Sequence, residues 1–258
     1  MKRVLRGLSR ITMRFPAIVT TIPTLTGLLV LSSNSAYGQV ILDDFSANNV
    51  LNYNFVEVFG SPANNWTVLN GELHPNVDGE ATAAWFWKGS EKLSAAGDSL
   101  SISLSLQAGE YNDLTFSTSI GLAVAADTAL TGFHFISLNN FGGSWSGGVD
   151  GDNDQIASPP SGLVQLTIQR TSERTEFDEI RYSVSFSGGG LSSPITKEFA
   201  ESSESLLLGV FAQNTTGTPA AMDNLTFTAV PEPSMYAGVF GLLALGTVVF
   251  RAQTARRS

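Results

Sequence analysis

The sequence predicts an all-β fold, an antiparallel sandwich of the jelly-roll type, between residues 39 and 229. Apolar and polar residues alternate in many short segments, which is the pattern of strands that bury one face. Clusters of Gly, Asn and Ser such as Asn70-Gly71 separate these segments, as turns require. The pattern amounts to about a dozen strands and no helix of three turns, which favours a sandwich.

Residues 1–38 predict a signal helix that directs export. Five basic residues lie within the first 14 positions, and the apolar run 15–31 follows them. The small residues Ala36 and Gly38 then stand at the −3 and −1 positions of a signal peptidase site. Cleavage is therefore predicted between Gly38 and Gln39. The alternative is an uncleaved amino-terminal anchor, which the prolines and threonines of the run disfavour.

Six segments of the central region have the clearest strand patterns. Five alternate with period two: LSISLSLQ (100–107), GFHFISLN (132–139), LVQLTIQR (163–170), IRYSVSFSG (180–188) and NLTFTAV (224–230). The sixth, LLLGVFAQ (206–213), is continuously apolar, which is typical of a central strand covered on both faces. A membrane barrel is a poorer interpretation, because regular outward apolar bands with aromatic girdles are missing.

Residues 230–258 form a separate carboxy-terminal segment. Pro231-Glu232-Pro233 precedes the apolar stretch 235–250, and Arg251, Arg256 and Arg257 follow it. As a hydrophobic helix this stretch would span about 24 Å, short of a hydrocarbon core of about 30 Å. The arginines favour the cytoplasmic side. The segment is therefore predicted to hold the protein in the membrane transiently.

This arrangement of triplet, short apolar helix and terminal arginines resembles the PEP-CTERM sorting signal of Gram-negative bacteria. The resemblance covers 230–258 alone. It implies recognition by an exosortase, removal of the tail, and delivery to the cell surface, outer membrane or extracellular matrix. The alternative is an ordinary anchor behind a chance Pro-Glu-Pro.

Charge and cysteine content exclude several functions. The region between the two end segments contains six Lys and Arg against 22 Asp and Glu, a net charge of −16. Such a surface repels nucleic acid and anionic lipid. The chain has no cysteine, so disulfides, thiolate nucleophiles and Cys-ligated zinc are excluded.

Short motifs at the two ends of the central region resemble the concanavalin A-like sandwiches of laminin-G, lectin and glucanase type. They are ILDDFS (41–46), NWTVLNGEL (65–73) with the WFW strand after it, and AAMDNLTFTAV (220–230). The resemblance implies pairing of the first and last strands. It also implies a structural calcium ion held by Asp43 or Asp44 with Asp223. The alternative role for these side chains is capping or turn hydrogen bonds.

The sequence predicts no catalytic site. A sandwich glucanase would carry Glu-x-Asp-x-Glu on one strand, but here Glu176 and Asp178 are followed by Ile180 in what reads as a charged hairpin loop. His74 and His134 lack the spacing of a zinc site or the context of a triad. His134 alternates with two phenylalanines and is expected on the opposite strand face.

The stretch VDGDND (149–154) places Asp150, Asp152 and Asp154 at positions 1, 3 and 5 of a calcium-loop pattern. The Gly and Glu that an EF-hand needs at positions 6 and 12 are replaced by Gln155 and Ser161. A looser calcium site and a solvated acidic turn stay open.

Trp85, Trp87 and Trp145 are the candidate glycan-binding residues. Trp85 and Trp87 are two positions apart on one strand face, and Trp145 lies in a Gly- and Asn-rich segment. Indole rings stack on the apolar faces of sugars. The alternative is that these rings are sandwich core.

Together these features predict an exported, exosortase-sorted surface or matrix protein whose non-catalytic sandwich binds exopolysaccharide or other glycans. A surface polysaccharide hydrolase and a purely structural matrix protein are the alternatives.

Overall fold

The computed structural model describes residues 38–61, 66–77, 81–106, 117–215 and 220–230. These ranges contain fifteen strands and one short 3-10 helix, Val50–Asn52. The strands are β1 (Gly38–Asp43), β2 (Tyr53–Phe59), β3 (Trp66–Leu69), β4 (Glu72–Pro75), β5 (Thr82–Trp87), β6 (Ser99–Leu106), β7 (Thr118–Ala125), β8 (His134–Phe141), β9 (Ser144–Val149), β10 (Asp152–Ile156), β11 (Val164–Arg170), β12 (Ile180–Gly188), β13 (Ile195–Glu201), β14 (Leu207–Gln213) and β15 (Ala220–Ala229).

The strands form two antiparallel sheets, and the predicted all-β sandwich is confirmed. The eight-stranded sheet has the order β13-β12-β11-β6-β15-β4-β3, with β1 paired to β15. The seven-stranded sheet has the order β10-β9-β8-β7-β14-β5-β2. Among the described residues no helix is long and apolar enough to cross a membrane. The predicted signal and tail helices lie outside the described residues.

β15 holds the eight-stranded sheet together because it pairs with three strands. It pairs with β6 along one side, and with β1 and β4 along the other. The first and last strands of the domain therefore lie side by side, as the sequence resemblance implied. The pairing with β6 shifts register between Asp223 and Thr226, where Asn224 adopts a left-handed φ of 54°. This bulge turns both Leu225 and Phe227 into the core.

Two tight hairpins come directly from Asn-Gly and Asp-Gly pairs. Asn70 and Gly71 have φ values of 58° and 82° between β3 and β4. Asp150 and Gly151 have φ values of 51° and 86° between β9 and β10. A two-residue type I′ turn needs positive φ at both central positions, and these residue pairs adopt it at low cost. The second turn places Asp150 beside β8.

The two sheets differ in how their outer faces are covered. In the eight-stranded sheet β6, β11 and β12 alternate regularly, with Leu100, Ile102 and Leu104 of β6 buried in the core. In the seven-stranded sheet β14 is central and buried on both faces, as its apolar run predicted. Phe86 and Phe211 form a second buried cluster on its outer face. The outer face of the seven-stranded sheet is therefore apolar around β5, β7 and β14.

Candidate functional site

Two of the three tryptophans predicted for a glycan platform lie in the core between the sheets. Trp85 is 0% exposed and Trp145 is 2% exposed. The Trp85 ring stacks on Trp66 with centroids 5.5 Å apart. Trp87 is half-buried and donates from Nε1 to Glu91 Oε2 at 2.9 Å. This corrects the platform hypothesis: alternation does put Trp85 and Trp87 on one face, but that face points at the opposite sheet.

Asp43, a candidate calcium ligand, is the centre of a buried hydrogen-bond group. One carboxylate oxygen accepts the Phe45 N–H at 2.8 Å and the Asn49 side-chain amide at 3.3 Å. The other oxygen accepts the Tyr53 hydroxyl at 3.1 Å. Burial and the adjacent carboxylate raise the pKa of Tyr53, so the phenol stays a donor. Protein donors thus occupy both oxygens of Asp43 and leave little room for a metal. These contacts fit the alternative role of turn hydrogen bonds.

Asp44 and Asp223, the other two candidate ligands, lie near the surface. Asp44 accepts the Ser46 N–H at 3.0 Å, and Asp223 accepts the Asn224 side-chain amide at 2.6 Å. Burial raises the pKa of Asp223, and the charges of Glu72 and Asp44 raise it further. Within the described ranges no group of three or more His, Cys, Asp or Glu has a geometry that could hold a metal ion. The calcium hypothesis stays a prediction.

The acidic run that was compared with a glucanase motif is a loop. Glu176 and Asp178 lie between β11 and β12, which pair as a hairpin. Arg174 donates to the Asp178 carboxylate and to the Ser202 carbonyl oxygen. Asp178 is held by this ion pair, as expected for a charged surface loop.

The three aspartates of VDGDND face basic side chains of the protein. Asp152 and Asp154 on β10 both accept from Lys197 Nζ, at 3.3 and 2.8 Å. Asp150 accepts from the backbone N–H of Phe135 at 2.9 Å and lies 2.6 Å from His134 Nδ1. Lys197 and His134 thus occupy the positions at which a calcium-loop pattern would bring a cation.

Asp150 and Glu201 lie on either side of the His134 ring, an arrangement that the sequence did not reveal. Glu201 Oε2 lies 3.4 Å from Nε2 of His134, whose Nδ1 faces Asp150. The imidazole ring therefore occupies the space between the two carboxylates. A glycosidase needs that space for a sugar bond and a water molecule. The geometry suits a bridge between strands rather than hydrolysis.

Two buried charged residues, Arg170 and Asp98, were also missed. Arg170 is 3% exposed, and its Nη1 donates to the carbonyl oxygens of Ser94 and Glu204 at 2.6 Å each. Asp98 is 2% exposed and accepts the N–H of Val230 at 3.0 Å. These contacts tie loops and the end of the domain to the sandwich, which is a structural role.

The outer face of the eight-stranded sheet has an unusual composition. Core residues of β6, β11, β12 and β15 alternate with outward residues, and twelve of these outward residues form a block of Ser, Thr and Gln over the four neighbouring strands. We call this set the hydroxyl face. It consists of Ser99, Ser101, Ser103 and Ser105 on β6, Gln165, Thr167 and Gln169 on β11, Ser183, Ser185 and Ser187 on β12, and Thr226 and Thr228 on β15.

Register aligns the hydroxyl face into rows across the sheet. Ser101 pairs with Thr226 on one side and with Thr167 on the other, and Thr167 pairs with Ser185. With strands about 4.8 Å apart and same-face residues about 6.7 Å apart, the face measures about 14 Å by 20 Å. Apart from Thr226, which is 7% exposed, its side chains are half-buried or exposed. The face is therefore a flat, regular array of hydroxyl and amide groups.

Charged side chains adjoin the hydroxyl face on this side of the sheet. Glu198 lies on the edge strand β13 opposite Ser183, and Asp223 lies at the bulge of β15 opposite Ser103. Arg181 begins β12. Hydroxyl and amide groups both donate and accept hydrogen bonds. The face can therefore bind the hydroxyl groups of a neutral sugar either as donors or as acceptors.

The sorting and cleavage residues are only partly described by the structure. Gly38 and Gln39 begin β1, where Gln39 pairs with Thr228. Residues 1–37 and 231–258 lie outside the described residues, and with them Pro231, Glu232, Pro233, Arg251, Arg256 and Arg257.

Solved structures similar to this chain include plant lectins and a bacterial glucanase. Lectin II from Ulex europaeus has a TM-score of 0.50 and 9% identity, covering 74% of this chain and 96% of the lectin. The lectin from Bauhinia forficata in complex with GalNAc has a TM-score of 0.46 and 7% identity, with the same coverage of 74% and 96%. An endo-1,3-beta-glucanase from Streptomyces sioyaensis has a TM-score of 0.44 and 12% identity, covering 76% and 98%.

The likeness to the Ulex europaeus lectin shows the fold alone, a two-sheet antiparallel sandwich. No family model and no curated protein matches this chain. A shared fold does not determine function, which therefore has to be argued from the residues.

Proposed function

We propose that this chain is an exported, non-catalytic surface or matrix protein that binds neutral polysaccharide through the hydroxyl face. The observation that carries the proposal is the uncharged composition of that face. Its twelve outward side chains hold no charge, although the domain between the end segments has a net charge of −16. A solvent-facing strand position accepts charged residues, so a block of twelve uncharged positions, bordered by Arg181, Asp223 and Glu198, needs a reason.

Neutral polysaccharide fits this face in both charge and shape. An acidic polymer would be repelled by the rest of the domain, and nucleic acid is disfavoured for the same reason. An extended polymer can lie across several strands and form many weak hydrogen bonds, each contributing about 0.5–1.5 kcal/mol. No tryptophan is among the residues of the face, so binding would depend on hydrogen bonds and on several copies acting together.

A non-catalytic role is supported by the state of the described carboxylates. Asp150 and Glu201 are separated by the His134 ring, and Asp178 is paired with Arg174. Export and sorting are supported by the two end segments of the sequence. The signal peptidase would act between Gly38 and Gln39, and an exosortase would act at the Pro231-Glu232-Pro233 triplet.

The binding proposal is tested by putting charge on the hydroxyl face. Ser101→Glu with Ser185→Glu adds two carboxylates on either side of Thr167, in one row of the face. The purified full chain is assayed by co-sedimentation with insoluble neutral glucans and with alginate as an acidic comparison. We expect binding to a neutral glucan, and at least a tenfold weaker binding by the double variant, since about 1.4 kcal/mol corresponds to tenfold in Kd.

The matched control is Ser90→Glu with Ser158→Glu, two exposed serines outside the hydroxyl face. It adds the same charge and should bind like the wild type. Equal melting temperatures of all three proteins would exclude unfolding as the cause. Binding that is absent for every polysaccharide would favour the purely structural alternative. Binding that is equal in both double variants would move the site away from this face.

A further inference from the structure

His134 joins the two sheets at the side where their edge strands meet. It lies on β8 of the seven-stranded sheet and, as predicted, faces away from Phe133 and Phe135, which belong to the outer apolar cluster. Its Nδ1 is 2.6 Å from Asp150, and its Nε2 is 3.4 Å from Glu201 on β13 of the eight-stranded sheet. The side chain is 15% exposed.

The surroundings fix the ring in this position. Its face packs on Phe199 with centroids 4.3 Å apart, and Phe199 stacks on Tyr182 at 4.9 Å. Phe199 and Glu201 share the inner side of β13 with Lys197, which reaches Asp152 and Asp154 on β10. The edge strand β13 thus contacts the opposite sheet through the Phe199 ring and through ion pairs of Glu201 and Lys197.

Both carboxylates are positioned without help from the histidine. Asp150 occupies the type I′ turn and accepts the Phe135 N–H. Glu201 accepts the N–H groups of Ser202 and Ser203 at 2.7 and 3.2 Å. Two anionic acceptors therefore face the two ring nitrogens, and only the doubly protonated imidazolium can donate to both.

We propose that His134 is a proton-dependent clasp that secures β13 to β8 and to the β9–β10 turn when protonated. Loss of the proton removes one of its two donors. The neutral imidazole also leaves Asp150 and Glu201 without a positively charged partner between them. β13, held otherwise by its pairing with β12 and by Lys197, then opens more often.

The pKa of His134 is shifted in the direction that this clasp requires. Burial lowers the pKa of His134, but hydrogen bonds and charges of Asp150 and Glu201 outweigh it and raise the pKa above the ordinary 6.5. A raised folded-state pKa means that the stabilisation is complete below 6.5 and is lost as the pH rises through the higher value. The clasp therefore tightens in mild acid and loosens in mild alkali.

The other groups that face the ring do not titrate in this window. Burial raises the pKa of Tyr182 to about 12. Burial alone would raise the pKa of Glu201, but hydrogen bonds from Ser202, Ser203 and His134 lower it on balance. The hydrogen bond to Asp154 raises the pKa of Lys197. The histidine is thus the group that changes charge near neutral pH.

The test uses the full chain and its two histidines. His74 lies on β4 beside Glu72, at 3.7 Å, so His74→Gln is a matched control and also assigns the two imidazole signals in an NMR titration. We expect the His134 signal to titrate above 6.5. Amide hydrogen exchange in β13, corrected for its intrinsic pH dependence, should speed up at least fivefold between pH 6 and pH 9.

His134→Gln should make exchange in β13 fast at both pH values and should flatten the pH dependence of the melting temperature, whereas His74→Gln should change neither. A His134 signal that titrates at or below 6.5 would overturn the proposal. So would a pH response that survives in the His134 variant. Because the titration is measured on the wild-type chain, it decides the question even if that variant fails to fold.

Discussion

Replacing Trp85 with alanine separates a core role from a binding role for this residue. The ring is fully buried and packs against Trp66 at 5.5 Å and Phe55 at 5.6 Å. Trp85→Ala removes the whole indole while leaving the strand pairs of β5 with β14 and β2 intact. The matched control is Trp87→Ala, on the same face of the same strand, where the ring is half-buried.

The expected loss of stability follows from burial. Truncation of a buried Trp to Ala costs about 3–5 kcal/mol, since transfer energy is lost and a cavity remains. For a domain of this size about 1 kcal/mol lowers the melting temperature by roughly 2–4 °C. Trp85→Ala should therefore lower it by about 6–20 °C. Trp87→Ala should lower it by roughly half as much or less, because part of that ring is already in water.

Thermal unfolding followed by circular dichroism measures this difference. Glucan binding is measured at a temperature where both variants are folded, and each should bind as the wild type does. The reasoning would be refuted by a Trp85→Ala variant that keeps its melting temperature but loses binding. That result would mean that the ring is accessible to a ligand.

Two further predictions concern the candidate metal site and the tail. Asp43→Ala should lower the melting temperature, because the Tyr53 hydroxyl and the Phe45 N–H lose their acceptor at about 1–3 kcal/mol for each buried group. EDTA should leave the wild-type melting temperature unchanged, and a fall would instead indicate calcium at Asp44 and Asp223. Alanine at positions 231–233 should leave unprocessed protein in the inner membrane, as read by fractionation and intact mass. Arrival of processed protein at the surface would contradict exosortase sorting.

Local patterns predicted the strands well because alternation is a local consequence of burying one face. The segment 180–188 is β12 with the same bounds, and 206–213 is β14 to within one residue. The Asn70-Gly71 turn was equally visible, since its positive φ values are a property of those residues. These elements needed no knowledge of the rest of the chain.

The side-chain partners could not be predicted in the same way because they depend on sheet order. His134 meets residues 16 and 67 positions away, and Lys197 reaches residues 45 and 43 positions away. The WFW segment is apolar on both faces, so its pattern could not tell which face points at the opposite sheet. β5 lies between β14 and β2, and both faces of the segment are covered, Trp85 by the main core and Phe86 by the outer apolar cluster.

The hydroxyl face could be predicted from the sequence only in part. Its residues are visible in the sequence as the polar partners in LSISLSLQ, LVQLTIQR and IRYSVSFSG, and their lack of charge could have been noticed there. Yet β6 precedes β11 by more than fifty residues, and β15 comes from the other end of the domain. Only the order β12-β11-β6-β15 places these strands side by side. Runs of uncharged polar residues on strands in separate places would be unremarkable, whereas four such runs in adjacent register form a surface. A ligand for that surface has to be wider than one strand, which is why a polymer is the partner to test.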